Sequence, residues 1–163
     1  MANAIEESSC EVLGESQEAK PGDVLLKFAI FGEPRTKKNS QQIFLKKVKG
    51  REIPFISPSK KYKEYEQSAR RQIKPPLKPI SGPISVKCLY YMPTKRAVDL
   101  TNLLEATDDI LVKAEVITDD NAKVIVSHDG SRVFFGHKGN PHVVITITAA
   151  EMTVPPEEQR TAE

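Results

Sequence analysis

Apolar and polar positions along this chain recur with periods that predict its elements one after another. From Val24 to Phe31 the run is apolar apart from Lys27, with β-branched or aromatic side chains at Val24, Phe28, Ile30 and Phe31. Gly32 and Pro34 close the run, which predicts a buried strand. Residues 41–47 and 52–56 predict two short strands around a turn near Gly50, and their lysines place them at an edge. Ser57-Pro58 reads as a helix start, a capping hydroxyl followed by proline in the first turn. Tyr62, Tyr65, Ala69 and Ile73 then recur at helical spacing, opposite Lys60, Lys63, Arg70, Arg71 and Lys74. Pro75-Pro76 stops that helix. Alternation returns from Ile84 to Met92, with Ile84, Val86, Cys88, Tyr90 and Met92 on one face of a strand.

A second helix is predicted from about Leu100 to Lys113. Asp99 stands at its mouth, where a carboxylate suits the positive end of the helix dipole. Leu103, Leu104, Thr107, Ile110 and Leu111 make its buried stripe. Residues 123–128 and 142–148 read as closing strands, with Asp129-Gly130 a tight turn between Val126 and Val133. The order βββαβαββ predicts an α+β fold: a mixed sheet with two main helices.

The flanks differ from this core. Residues 1–23 and 151–163 are acidic, with little to bury, and are expected to be disordered tails around one domain at 24–150. No apolar run approaches the roughly 20 residues of a membrane span. Residues 1–7 carry neither the basic nor the apolar region of a secretory signal. Cys10 and Cys88 make no disulfide framework, so a reducing, cytoplasmic setting and no membrane partner are expected.

Charge changes the picture more than composition does. The net charge of +2 conceals a segregation. Residues 35–96 hold 17 basic and three acidic residues, a net of +14. Residues 99–120 hold seven acidic residues and one lysine, a net of −6. A basic domain with one concentrated acidic segment points to a polyanion partner and to chemistry that needs carboxylates.

The acidic set is Asp99, Glu105, Asp108, Asp109, Asp119 and Asp120. Glu105 shares a helix face with Asp108 and Asp109. One reading is a solvated face followed by a turn. The other is a divalent-metal site on a DNA-cutting surface, because carboxylates repel phosphates unless a cation inverts the local field. Arg35, Lys37 and Lys38 lead into Asn39, Ser40 and Gln41, a mix of cations and neutral donors suited to phosphate oxygens. Lys60, Lys61, Arg70 and Arg71 on the first helix, and Lys95-Arg96, are further candidates for that contact. The histidines, at 128, 137 and 142, lack zinc-ligand spacing. Cys88 reads as a core residue.

The run Val98-Asp99-Leu100-Thr101-Asn102-Leu103-Leu104-Glu105-Ala106, then Asp109, then Val116-Ile117-Thr118-Asp119-Asp120-Asn121, resembles the RusA family of Holliday junction resolvases. That family's pattern is Asp-Leu-Asp-Asn entering a helix, a later Asp in the helix, and an Asp-Asp pair before a strand. The spacing from Asp99 to Asp120 fits without a gap. The Gly32-Glu33-Pro34-Arg35 turn and the lysine-rich first helix also resemble the family, over residues 24–150.

The resemblance implies a small, often phage-borne homodimeric endonuclease, dependent on Mg²⁺ with Mn²⁺ as an alternative, that makes paired nicks across four-way junction DNA. It assigns Asp99 and Asp120 as catalytic carboxylates and metal ligands, with Asp119 beside them. Two positions depart. Thr101 stands where the family commonly has a second aspartate, and Glu105 where it has a lysine. The pair lie one helical turn apart, so the swap conserves the carboxylate count, and Glu105 is expected to act as the replacement catalytic and metal-binding carboxylate. Lys95, Arg96 or Lys123 is then expected to fill the lysine's role, and Lys123 joins the DNA-contacting set. The competing reading, which Thr101 favours, is a junction-binding protein without catalysis.

Overall fold

The computed structural model describes residues 19–37 and 41–152. Lys38, Asn39, Cys10 and most of both expected tails lie outside the described residues. The main sheet has five strands in two layers with a pair of helices. Its elements are β1 (Val24–Phe31), β4 (Ile84–Met92), β5 (Ile125–Ser127), β6 (Arg132–Phe135) and β7 (His142–Ala149). Between β1 and β4 come β2 (Gln41–Val48), β3 (Arg51–Pro58) and helix α1 (Lys60–Gln72), and helix α2 (Leu100–Lys113) follows β4. The α+β class with a mixed sheet stands as expected.

β7, the last strand in sequence, lies in the middle. It pairs antiparallel with β1 on one side and with β4 on the other. Ladder bonding extends past β1, where Gly22 N donates to Ala149 O at 2.8 Å. Every second residue of β4 is buried, from Ile84 through Val86, Cys88 and Tyr90 to Met92. Those side chains meet Leu26 and Ile30 of β1, Val143, Ile145 and Ile147 of β7, and the apolar sides of both helices. Both helices therefore cover one face of the sheet.

The structure departs from the pattern at three places. Helix α1 begins two residues later than Ser57-Pro58 suggests. Pro58 remains in β3, opposite Gln41, and Ser59 is the cap, its hydroxyl accepting from Tyr62 N at 3.2 Å. A proline favours extended backbone before it, which keeps Ser57 in the strand. Ser59→Ala should lower stability by about 1 kcal/mol, seen as an earlier urea midpoint at unchanged slope.

The strands β2 and β3 pair only with each other, as a separate two-stranded sheet, rather than edging the main one. Lys49 and Gly50 both take positive φ, 49° and 79°, as a two-residue type I′ turn requires. The lysines marked these strands as exposed, but exposure does not say which sheet a hairpin joins.

Asp129-Gly130 does turn, but the chain then continues in its former direction. β5 and β6 both run parallel to β4, one beside its start and one beside its end. The sequence pattern had this stretch as one strand plus a turn; the structure adds β6 as a further short strand. In the gap, side chains replace the backbone ladder: Cys88 N donates to Ser131 Oγ at 3.0 Å, and His128 Nδ1 meets Val86 O at 2.9 Å.

Candidate active site

The acidic segment is organised by α2. Asp99 caps that helix, and its Oδ1 accepts from Thr101 N at 3.0 Å and from Thr101 Oγ1 at 2.7 Å. The residue that stands in for an expected aspartate thus fixes the orientation of Asp99. Glu105 projects from the exposed side, one turn on. Asp108 is buried and Asp109 half-buried, which corrects the reading of this face as uniformly solvated. Asp109 forms an ion pair with Lys37, tying the loop after β1 to α2.

Asp119 and Asp120 follow in the loop before β5, both exposed. The Asp119 carboxylate accepts from Asn121 Nδ2 at 2.5 Å and from Asp120 N at 2.8 Å. These bonds hold it below the usual carboxylate range, so it stays ionised. Asn121 in turn accepts from Lys123 N at 2.8 Å through its side chain, and from Val124 N and Ile125 N through its carbonyl. The loop is thereby a bonded turn that launches β5.

A pair that sequence reasoning missed lies under this surface. His128 Nε2 is 3.0 Å from Asp108 Oδ2. Its Nδ1 faces the Val86 carbonyl, which can only accept, so that nitrogen carries a hydrogen. Burial raises the Asp108 carboxyl, against the opposing pull of His128, and repulsion from Asp120 and Asp109 adds to the rise. The hydrogen bond to Asp108 raises the His128 imidazole. Asp120 is therefore within electrostatic range of Asp108. The adjacent Asp108-Asp109 was the available signal. The histidine gave none, because its partner is twenty residues away in sequence and across an element boundary.

The cations separate into two groups. Arg35 and Arg96 line one cleft of about 140 Å³, between the loop after β1 and the loop leading to Asp99, together with Glu33, Thr36, Thr94 and Val98. Arg35 bonds Glu33 at 2.5 Å there. Arg70 and Arg71 line a different cleft, with Lys113 at the C-terminal ends of both helices. Lys60 and Lys61 sit exposed at the start of α1, roughly 15 Å along the axis from Arg70. Lys95 and Lys123 are exposed. Cys88 is fully buried, which pushes its thiol up to about 12 and leaves it protonated, as a core role requires.

The carboxylates are hard oxygen donors, the class that Mg²⁺ takes. Among the described residues, no three His, Cys, Asp or Glu side chains converge to hold a metal ion. One or two carboxylates completed by water and phosphate oxygens is the arrangement this donor set fits. No helix among the described residues is long and apolar enough to cross a membrane.

The family model for endodeoxyribonuclease RusA matches residues 32–148, from the turn after β1 through nearly all of β7. No curated protein matches the chain. The matched span takes in the Arg35–Arg96 cleft, the capped α2 with its carboxylates and the Asp119-Asp120 loop, and the chain belongs to the RusA endodeoxyribonuclease family.

Proposed function

We propose that this protein is a divalent-metal-dependent endodeoxyribonuclease that resolves Holliday junctions by paired nicks, acting as a homodimer. The carrying observation is the ordered carboxylate at the start of α2, at the family's spacing from Asp119-Asp120. When bound, Mg²⁺ or Mn²⁺ supplies Lewis acidity, which eases charge build-up on a phosphoryl oxygen and the loss of a proton from water. Asp99, Asp119, Asp120 and Glu105 are the candidate carboxylates, one or two of which would hold it together with water and phosphate oxygens.

The chain's own residues do the remaining work. Thr101 holds one Asp99 oxygen, so the carboxylate need not reorganise when DNA arrives. Asp119 keeps its charge at neutral pH and holds the backbone N–H of Asp120, which fixes the path of the loop. Arg35 and Arg96 offer planar, multidentate donors to the phosphates that approach Asp99. Lys37, Lys38, Asn39, Lys60, Lys61, Lys95 and Lys123 extend the backbone contact, and Arg70 and Arg71 serve a second duplex arm. Two sites on a two-fold dimer would match the two-fold symmetry of a junction.

A second reading keeps the junction contact without catalysis, and the hydroxyl at Thr101 favours it. One comparison separates the two: nicking of a synthetic four-way junction against linear duplex, with Mg²⁺ and with chelator. Junction-selective, metal-dependent nicking is expected. Tight junction binding with no cleavage in Mg²⁺ would leave the binding protein.

A further inference from the structure

The face of the sheet turned away from the helices carries a row of rings. Strand register sets Phe31 of β1 opposite His142 of β7, His142 opposite Tyr91 of β4, and Tyr91 opposite Phe134 of β6. The Tyr91 ring stacks on His142 at 4.3 Å with 10° between planes, and on Phe134 at 5.1 Å and 22°. Phe31 lies 5.8 Å from His142, tilted by 35°. The result is a column of four rings across four strands, each one standing on the sheet. Its inner ring faces are taken by neighbours. Its two end rings keep surface open among the described residues: Phe31 is 54% exposed and Phe134 38%.

Below the column the same face turns cationic. Arg132 is opposite Leu89, and Lys27 and Lys87 are both opposite Thr146. These three side chains are exposed, and the residues facing them across this part of the sheet carry no carboxylate. The column also stands at the end of the sheet where β1 and β4 run into the two loops that form the Arg35–Arg96 cleft.

We propose that this face binds a single strand of DNA, with an unpaired base stacked on an end of the ring column and its phosphates on Lys27, Lys87 and Arg132. A flat aromatic end and a cationic floor are the two parts that single-strand recognition needs, and neither depends on sequence. Charge selects this occupant over a second copy of the chain, since a polyanion neutralises Lys27, Lys87 and Arg132, whereas a second copy seated through this face would bring three more cations into the contact. The proposal rests on the endonuclease reading only for the source of the strand, the unpaired centre of a junction.

The test uses the full-length protein in chelator and a short oligothymidine that carries one 2-aminopurine. Binding should quench the fluorescent base. Phe31→Leu with Phe134→Leu keeps apolar bulk at exposed positions but removes both ring ends, and should abolish the quench and weaken binding roughly tenfold. Lys87→Ala should flatten the dependence of log affinity on log salt by about one unit. An unchanged quench in the double variant would overturn the proposal. So would failure of the wild type to bind the strand, or a double variant that sediments as a smaller species while binding DNA as before, which would make the face a contact between copies. Junction cleavage with Mg²⁺ on the same proteins keeps the two readings apart. Cleavage without quench removes this proposal alone, and quench without cleavage removes the nuclease.

Discussion

Asp120→Asn should lower four-way junction cleavage at saturating protein by about 10²-fold or more while DNA binding in chelator is retained or strengthened. The two effects have opposite signs for one reason. The carboxylate is exposed in the loop before β5 and repels the buried Asp108 carboxylate. Replacing it by an amide removes a charge that repels phosphate when no cation is present. It also removes an anionic ligand, and mutations that strip charge stabilisation from a reacting centre commonly lose 10² to 10³ in rate. Single-turnover cleavage and a gel shift, run side by side, read the two quantities. A variant that cleaves at the wild-type rate would take Asp120 out of the reaction. Cleavage and binding lost together would mean that the substitution had instead unmade the loop.

The largest stability effect is expected at His128. His128→Ala leaves Asp108 buried with neither oxygen paired, since Oδ1 already has no partner among the described residues. Breaking a buried pair at one end costs about 3 kcal/mol, which for a domain of this size is a drop in Tm of roughly 6–12 °C. The pH dependence follows from the direction of both shifts. A raised pKa means that the folded state holds its proton more tightly than the unfolded chain does. The stabilisation from His128 is complete below the ordinary imidazole value of 6.5 and is lost as pH rises through the elevated folded value. The raised Asp108 carboxyl works in the same sense at lower pH. Wild-type Tm should therefore fall across the range just above neutral imidazole titration, and His128→Gln should remove that slope. A wild-type Tm flat through this range would show that the pair contributes nothing to linkage.

What could be read from the chain beforehand was what local physics decides. Strand β4 was legible because five alternate apolar residues leave little choice of face. Helix α2 was legible because Asp99 caps it and its apolar residues hold a helical period. The start of α1 lies two residues beyond the one the pattern favours because Ser57 and Ser59 both offer a capping hydroxyl, and only pairing with β2 decides between them. The hairpin's separation from the main sheet, and the second short strand beside β4, are choices among partners far away in sequence. Periodicity carries no record of partner choice.

The site was legible to a similar depth. Spacing and resemblance singled out Asp99, Asp119 and Asp120, and the structure gives two of these defined hydrogen-bond roles. Asp108 was the harder residue. On a helical wheel it reads as one more acid beside Asp109, and only the fold turns it inward onto a histidine. Likewise the four rings of the column come from four separate strands. No two of them stand close enough in sequence to suggest a cluster.

The position of β7 has a consequence for how the molecule is made. Strands β1 and β4 each need it as a neighbour, and it is the last element of the sheet to leave the ribosome. Until residues 142–149 emerge, a nascent chain can form both helices and the hairpin, but its two longest main-sheet strands share no partner and their apolar sides lack a common floor. The sheet closes late, through contacts that span almost the whole domain, and such contacts are slow to find. The interval before closure is when the unpaired edges of β1 and β4 are open to other chains.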